Sequence, residues 1–273
     1  MRILYATDGS TQARAAAPLL SGLSLSARDN ITVLTVGDYK NQIAAEDIFK
    51  TAREDLSGTP AVIDTQVREG YPDEEILKAC QDLSADLLTV GAKGTSGLAR
   101  FFLGGVTARV MRYAPCSVLI ARPEKTSIRR VVMALDGSES SCAAADFLLA
   151  FPLPAEAKVQ LLTVLPPRSP YPPHYGPASM PHGGDEFTVI RDLSVHKGYF
   201  LGAGRQASTH VEEGDPAASL LDYAERKNSD LIVLGSHGSS LPQRFHRFLL
   251  GSVSEKVARY APCSILLVKQ SGE

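Results

Sequence analysis

The chain repeats itself, and nothing else in the sequence limits its fold so strongly. ILYATDGS at 3–10 returns as VVMALDGS at 131–138, an offset of 128. ITVLTV at 31–36 and VQLLTV at 159–164 keep that offset. EGYPDEEILKACQDLSADLLTVGAKG at 69–94 answers to EGDPAASLLDYAERKNSDLIVLGSHG at 213–238, now 144 residues apart. GGVTARVMRYAPCSVLIA at 104–121 answers to GSVSEKVARYAPCSILLV at 251–268, 147 apart. Four blocks in one order predict two copies of one folding unit, 1–125 and 126–273. The polar RPEKTSIR at 122–129 is the natural linker. The two steps in offset mark insertions in the second copy, sixteen residues between 165 and 213 and three between 239 and 250. The larger insertion contains PPRSPYPPHYGPASMPHGG at 166–184, and its seven prolines predict a long exposed loop or partner-binding segment.

Inside the first copy, short apolar runs alternate with amphipathic stretches. Strands are predicted at 2–7, 31–37, 61–69, 86–91 and 117–121, and helices at 11–25, around 44–56, at 72–83 and at 105–114. Pro72 suits a first helical turn. Apolar strands separated by helices imply a parallel sheet covered on both faces, hence a small doubly wound α/β domain in each copy. Such sheets bind ligands outside the carboxyl ends of their strands.

Bulk properties remove several function classes. The net charge of −2 provides no basic field for nucleic acid. No apolar run is long enough to predict a membrane span, and the apolar run of MRILYATDGS meets Asp8 too soon for a signal-peptide core. Cys80, Cys116, Cys142 and Cys263 form no CxxC pair, so free thiols in a cytoplasmic protein are expected.

Two features sit where a doubly wound sheet binds its ligand. Asp8 and Asp136 each follow the first strand of their copy and precede Gly-Ser. Capping or turn-making would explain them as well as ligand contact would. The second feature is VGAKGTSGLARFFLGGVTARV at 90–110. Gly91 and Gly94 follow strand four, while Gly104 and Gly105 open the fourth helix. Glycine permits close approach to the main chain, and a helix start offers unpaired N–H groups to an anion. Two ordinary glycine turns remain the competing reading. Neither the Walker P-loop spacing nor a strand–GxGxxG–helix unit is present.

These residues resemble the universal stress protein family, as two family domains in tandem. The likeness rests on Asp-Gly-Ser, on GYP at 70–72 and GDP at 214–216, on the glycine motif, and on Ala-Pro-Cys before strand five. It implies two Rossmann-like domains, each a five-stranded parallel sheet in the order 3-2-1-4-5. It also implies ATP, with magnesium or manganese on its phosphates. Carried over, Ala6, Val36 and Val90 would line the adenine pocket and Asp8 would meet the adenosine end. Gly91, Lys93 and Gly94 would follow the ribose and phosphates, and Gly104, Gly105, Val106 and Thr107 would hold the phosphates. The matching positions in the second copy are Ala134, Asp136, Val164, Leu234, Gly235, His237, Gly238, Gly251, Ser252, Val253 and Ser254.

Both copies depart from the family pattern. The first keeps nine residues between Gly94 and Gly104 but has Gly105 where a hydroxyl is expected, with Thr107 as a substitute donor. The second keeps Ser252 and Ser254 but has twelve residues between Gly238 and Gly251, among them Arg244, His246 and Arg247. The first copy is the favoured site. No residue stands out as a base near a γ-phosphate, no catalytic residue is assigned, and no protein metal site is expected. His174 and His182 read as exposed. The resemblance implies a sensor or regulator, with an interaction module that has lost nucleotide, or a slow ATPase, as alternatives. The bare, uncharged strand five invites pairing, and the resemblance implies that it joins the two copies into an internal pseudo-dimer. Pairing of two whole chains stays open.

Overall fold

The structure is a computed structural model that describes residues 1–37, 42–92, 103–123, 127–165, 186–236 and 250–269. The first unit runs β1 (Arg2–Ala6), α1 (Thr11–Arg14), α2 (Ala16–Ser21), β2 (Asn30–Val36), α3 (Gln42–Asp55), β3 (Val62–Arg68), α4 (Pro72–Asp82), β4 (Leu87–Gly91), α5 (Gly105–Tyr113) and β5 (Ser117–Ala121). The second runs β6 (Arg130–Ala134), α6 (Glu139–Ala150), β7 (Lys158–Leu165), α7 (Glu186–Gly202), β8 (Gln206–Glu213), α8 (Pro216–Arg226), β9 (Leu231–Gly235), α9 (Ser252–Tyr260) and β10 (Ser264–Val268).

All ten strands join one sheet in the order β3-β2-β1-β4-β5-β10-β9-β6-β7-β8. Each half therefore has the order 3-2-1-4-5, and every pairing within a half is parallel. The halves meet where β5 and β10 run antiparallel, with Leu119 opposite Leu266. The strand period of two divides each strand between two cores. Ile3 and Tyr5 of β1 enter one apolar cluster, and Leu4 and Ala6 enter the other. Both clusters draw residues from both units, so each face of the sheet has one continuous core.

The first helix differs from the expectation at 11–25. It is two short helices meeting at Ala15. Pro18 lacks the N–H that would serve the Arg14 carbonyl, and its ring crowds that carbonyl. The chain leaves α2 at Gly22, and Ser24 then donates to Pro152 O at 2.8 Å, a bond between the units. Among the described residues no helix is long and apolar enough to cross a membrane.

Candidate nucleotide site

The turns after β1 and β6 share the same main bonds. Asp8 Oδ1 accepts from Ser10 N–H at 3.0 Å, and Asp136 Oδ1 accepts from Ser138 N–H at 3.0 Å. The intervening Gly9 and Gly137 both have φ of +75°, a region that L side chains avoid. The helix caps are the serines: Ser10 Oγ accepts from Ala13 N–H at 3.2 Å, and Ser138 Oγ from Ser141 N–H at 3.1 Å. The aspartates hold the turn and leave capping to their neighbours. Both are exposed at the carboxyl end of the sheet.

The apolar residues expected around an adenine lie beside this turn. Ala6 and Val90 are register partners on β1 and β4. Both are buried in the cluster against which the half-buried Val36 packs. In the second unit Leu234 is buried in the same cluster, with Ala134 and Val164 half-buried against it.

The loop after the fourth strand is closed at its base. Ala92 N–H donates to Ala121 O at 2.8 Å, and Gly104 N–H donates to Ala92 O at 2.9 Å. The second unit repeats this with Ser236 N–H on Val268 O at 3.0 Å and Gly251 N–H on Ser236 O at 2.9 Å. The first turns of α5 and α9 are thereby held against the ends of β4 and β9. Gly104 and Gly251 are the N-caps. The N–H groups of Gly105, Val106 and Thr107, and of Ser252, Val253 and Ser254, lie in first turns, where no helical carbonyl serves them. Gly105, Val106 and Ser252 are exposed.

The structure separates what sequence reading had grouped together. Gly91 has a packing reason: a Cβ there would lie 2.5 Å from Gln12 O and 2.6 Å from Ala13 Cα. A Cβ at Gly235 would lie 2.5 Å from Ser140 Oγ. Both glycines let the helix after the first strand press onto the fourth. Thr107 is 5% exposed and its hydroxyl donates to Gly91 O at 2.8 Å. Ser254 matches it, donating to Gly235 O at 2.9 Å. Their hydroxyl protons are already committed, so Thr107 does not replace the missing hydroxyl of position 105 as a donor. What both residues present to the first turn is the backbone N–H. Lys93, Gly94, His237 and Gly238 lie outside the described residues, as do Arg244, His246, Arg247, almost all of the loop between Gly94 and Gly104, and the proline-rich 166–184.

Ionic ties that the motifs did not announce fix α5 against α4 and α9 against the start of α8. Arg109 on α5 pairs with Asp73 of α4 at 2.9 Å. Lys256 on α9, the matched position, pairs with Asp215 at 3.0 Å, and Asp215 caps α8 by accepting from Ala218 N–H at 2.8 Å. On the opposite face of the first unit, a cavity of about 210 Å³ lies between β1, α1 and α3, lined in part by Tyr5, Thr7, Arg14 and Asp47. Among the described residues, it meets the predicted site at the turn that carries Asp8. Burial pushes the Tyr5 phenol up to about 12, so it stays protonated. Among the described residues no three histidines, cysteines or carboxylates gather to hold a metal ion.

A model of the universal stress protein family matches residues 1–122 and again 127–269. A universal stress protein of Synechocystis sp. is 24% identical over 300 aligned positions, which span 97% of this chain and 98% of that protein. A universal stress protein from Archaeoglobus fulgidus has the same fold, with a TM-score of 0.68 at 20% identity over 99% of this chain and 98% of its own. An Arabidopsis thaliana protein of the family, solved with AMP bound, matches 53% of this chain and 93% of its own at 18% identity, with a TM-score of 0.37.

Proposed function

The chain belongs to the universal stress protein family, as two units in tandem, and on that premise we propose that it binds ATP in at least one unit and acts as a stress-response sensor or regulator. The observation that carries this reading is the closed loop base. Gly104 N–H on Ala92 O, at 2.9 Å, sets the first turn of α5 at the mouth of the sheet. We take the turn of Asp8, the apolar Ala6, Val36 and Val90, and the three backbone N–H groups of that first turn to bound one nucleotide site. Adenine takes the apolar wall, the ribose end takes Asp8, and the phosphates take the amides and the positive end of the helix. A divalent ion, magnesium or manganese, travels with the phosphates.

The first unit is the better candidate. It keeps nine residues between Gly94 and Gly104, where the second has twelve between Gly238 and Gly251. In the first unit Lys93 and Gly94 join the phosphate end. In the second, His237 and Gly238 are the matching pair. We read the antiparallel meeting of β5 with β10 as an internal pseudo-dimer of two family domains, divided at 125/126, and place the protein in the cytoplasm. Its four cysteines are free, as a reducing compartment requires.

Calorimetric titration of the full chain with ATP, with and without magnesium, tests the reading. Heat of binding that is lost in Asp8→Ala assigns the first unit, and loss in Asp136→Ala assigns the second. The absence of any heat at millimolar nucleotide would refute it.

A further inference from the structure

The cavity of about 210 Å³ between β1, α1 and α3 has no part in the nucleotide reading. Its volume is the share of about seven liquid waters. Tyr5 and Thr7, both buried, line it from the side of β1, and Asp47, Ile48, Thr51 and Ala52 line it from α3. We infer that it binds a small organic primary ammonium, with Asp47 as the charge partner.

The hydrogen bonds around the cavity select the charge and the donors of its ligand. The Tyr5 hydroxyl donates to Ala13 O at 3.1 Å, and Thr51 Oγ1 donates to Asp47 O at 2.8 Å. Thr7 Oγ1 accepts from Gly9 N–H at 3.2 Å. The Tyr5 and Thr51 protons are committed, so these oxygens offer lone pairs. Arg14 also lines the cavity, but its Nε and Nη2 donate to the two Asp55 carboxylate oxygens, each at 3.0 Å, so its charge is already balanced. Among the described residues, nothing bonds or neutralises the Asp47 carboxylate. One unbalanced carboxylate beside acceptor oxygens calls for a single positive charge that brings donors only. A primary ammonium is such a group. Ile48 and Ala52 give its carbon stem an apolar wall.

Ordinary packing would also leave polar groups along a groove, and the repeat supplies the comparison. Burial at Ala45, Phe49, Ala52 and Leu56 of α3 recurs at Val189, Leu193, His196 and Phe200 of α7, an offset of 144. On that register Asp47 answers to Arg191 and Thr51 to Val195. At the offset of 128, Tyr5 and Thr7 answer to the buried Met133 and Leu135. The second unit therefore builds the same fold without these hydroxyls and with the opposite charge at the carboxylate position. Packing does not require the polar set, and only the first unit has it.

The test titrates the full chain, without nucleotide, with pentylammonium chloride and with pentanol, its neutral analogue. Potassium chloride holds the ionic strength constant, and backbone amide NMR reads the result. Pentylammonium is expected to shift the Gly9 and Thr51 amides saturably in the millimolar range, and pentanol to bind about tenfold more weakly or not at all. Asp47→Asn alters an exposed side chain and should weaken amine binding by about tenfold, with the rest of the spectrum preserved. Thr51→Val, which installs the residue that the second unit carries, should weaken it as well. Equal affinity for amine and alcohol would overturn the inference. So would unchanged amine binding in Asp47→Asn, or no saturable shift at millimolar amine. Because no nucleotide is present, failure here leaves ATP binding to its own titration, and a failure of ATP binding leaves this site standing.

Discussion

Arg122 and Lys269 make the same contact in opposite directions. Arg122 follows β5 and its Nη2 donates to Ala258 O at 3.0 Å and Arg259 O at 3.2 Å, at the end of α9. Lys269 follows β10 and its Nζ donates to Arg112 O and Ala114 O, at the end of α5. Each unit supplies the cation that serves the last carbonyls of the other unit's helix, where positive charge is favoured. These are the two helices whose first turns carry the amides assigned to phosphate in the proposed function.

Removing one of these cations should loosen the junction of the units. Arg122 is 4% exposed, so Arg122→Met keeps the stem packing but leaves buried carbonyls without their donor. A hydrogen bond to a charged group contributes roughly 1.5–3 kcal/mol. Urea unfolding should show a loss of about that size, with Arg122→Lys recovering part of it. An unchanged midpoint would show that the exchanged caps add nothing to stability.

The glycines should divide by role. Gly91→Ala and Gly235→Ala force a methyl group into the backbone of α1 or against Ser140, and overpacking of that kind costs about 1–3 kcal/mol. Gly105→Ser meets nothing within 4 Å. It should be neutral or stabilising by roughly 0.4–1 kcal/mol. It also restores the hydroxyl that the second unit has at Ser252, so ATP affinity in the first unit should rise. Thermal melts and calorimetry read the two effects separately.

Thr107→Val tests what the buried hydroxyl does. Its bond to Gly91 O, 2.8 Å, holds the helix start against the strand end. The substitution should lower stability by about 0.5–1.5 kcal/mol while nucleotide affinity changes little. A tenfold loss of affinity at constant stability would instead put the hydroxyl on a phosphate.

Asp230 should contribute to acid sensitivity. Burial raises its carboxyl, but Arg130 at 3.2 Å and the N–H groups of Arg129 and Arg130 outweigh that and hold it below the usual carboxylate range. The folded state therefore binds its proton less readily than the unfolded chain does. The stabilisation is fully present above the unfolded value of about 3.9, and it is lost as pH falls through the lower, folded value. Asp230→Asn should destabilise at neutral pH and much less near pH 3, measured by urea midpoints at both. An equal loss at the two values would contradict this sign.

The repeat, the alternation of strand and helix, and the Asp-Gly-Ser and glycine positions were all legible in the chain, because periodicity and turn chemistry are local. Local pattern also located Asp8, Asp136, Gly104 and Gly251 at strand and helix ends. The break at Ala15 was legible too, had Pro18 been weighed against the Arg14 carbonyl. The roles of Gly91, Thr107 and Arg122 were decided only in three dimensions. Gly91 is glycine because α1 crosses it, Thr107 turns inward to Gly91 O, and Arg122 reaches across the sheet junction to α9. Spacing along a chain specifies which residues share a turn or a face. Which atoms then lie within hydrogen-bonding reach depends on how separate elements pack, and packing sums many contacts from distant parts of the sequence.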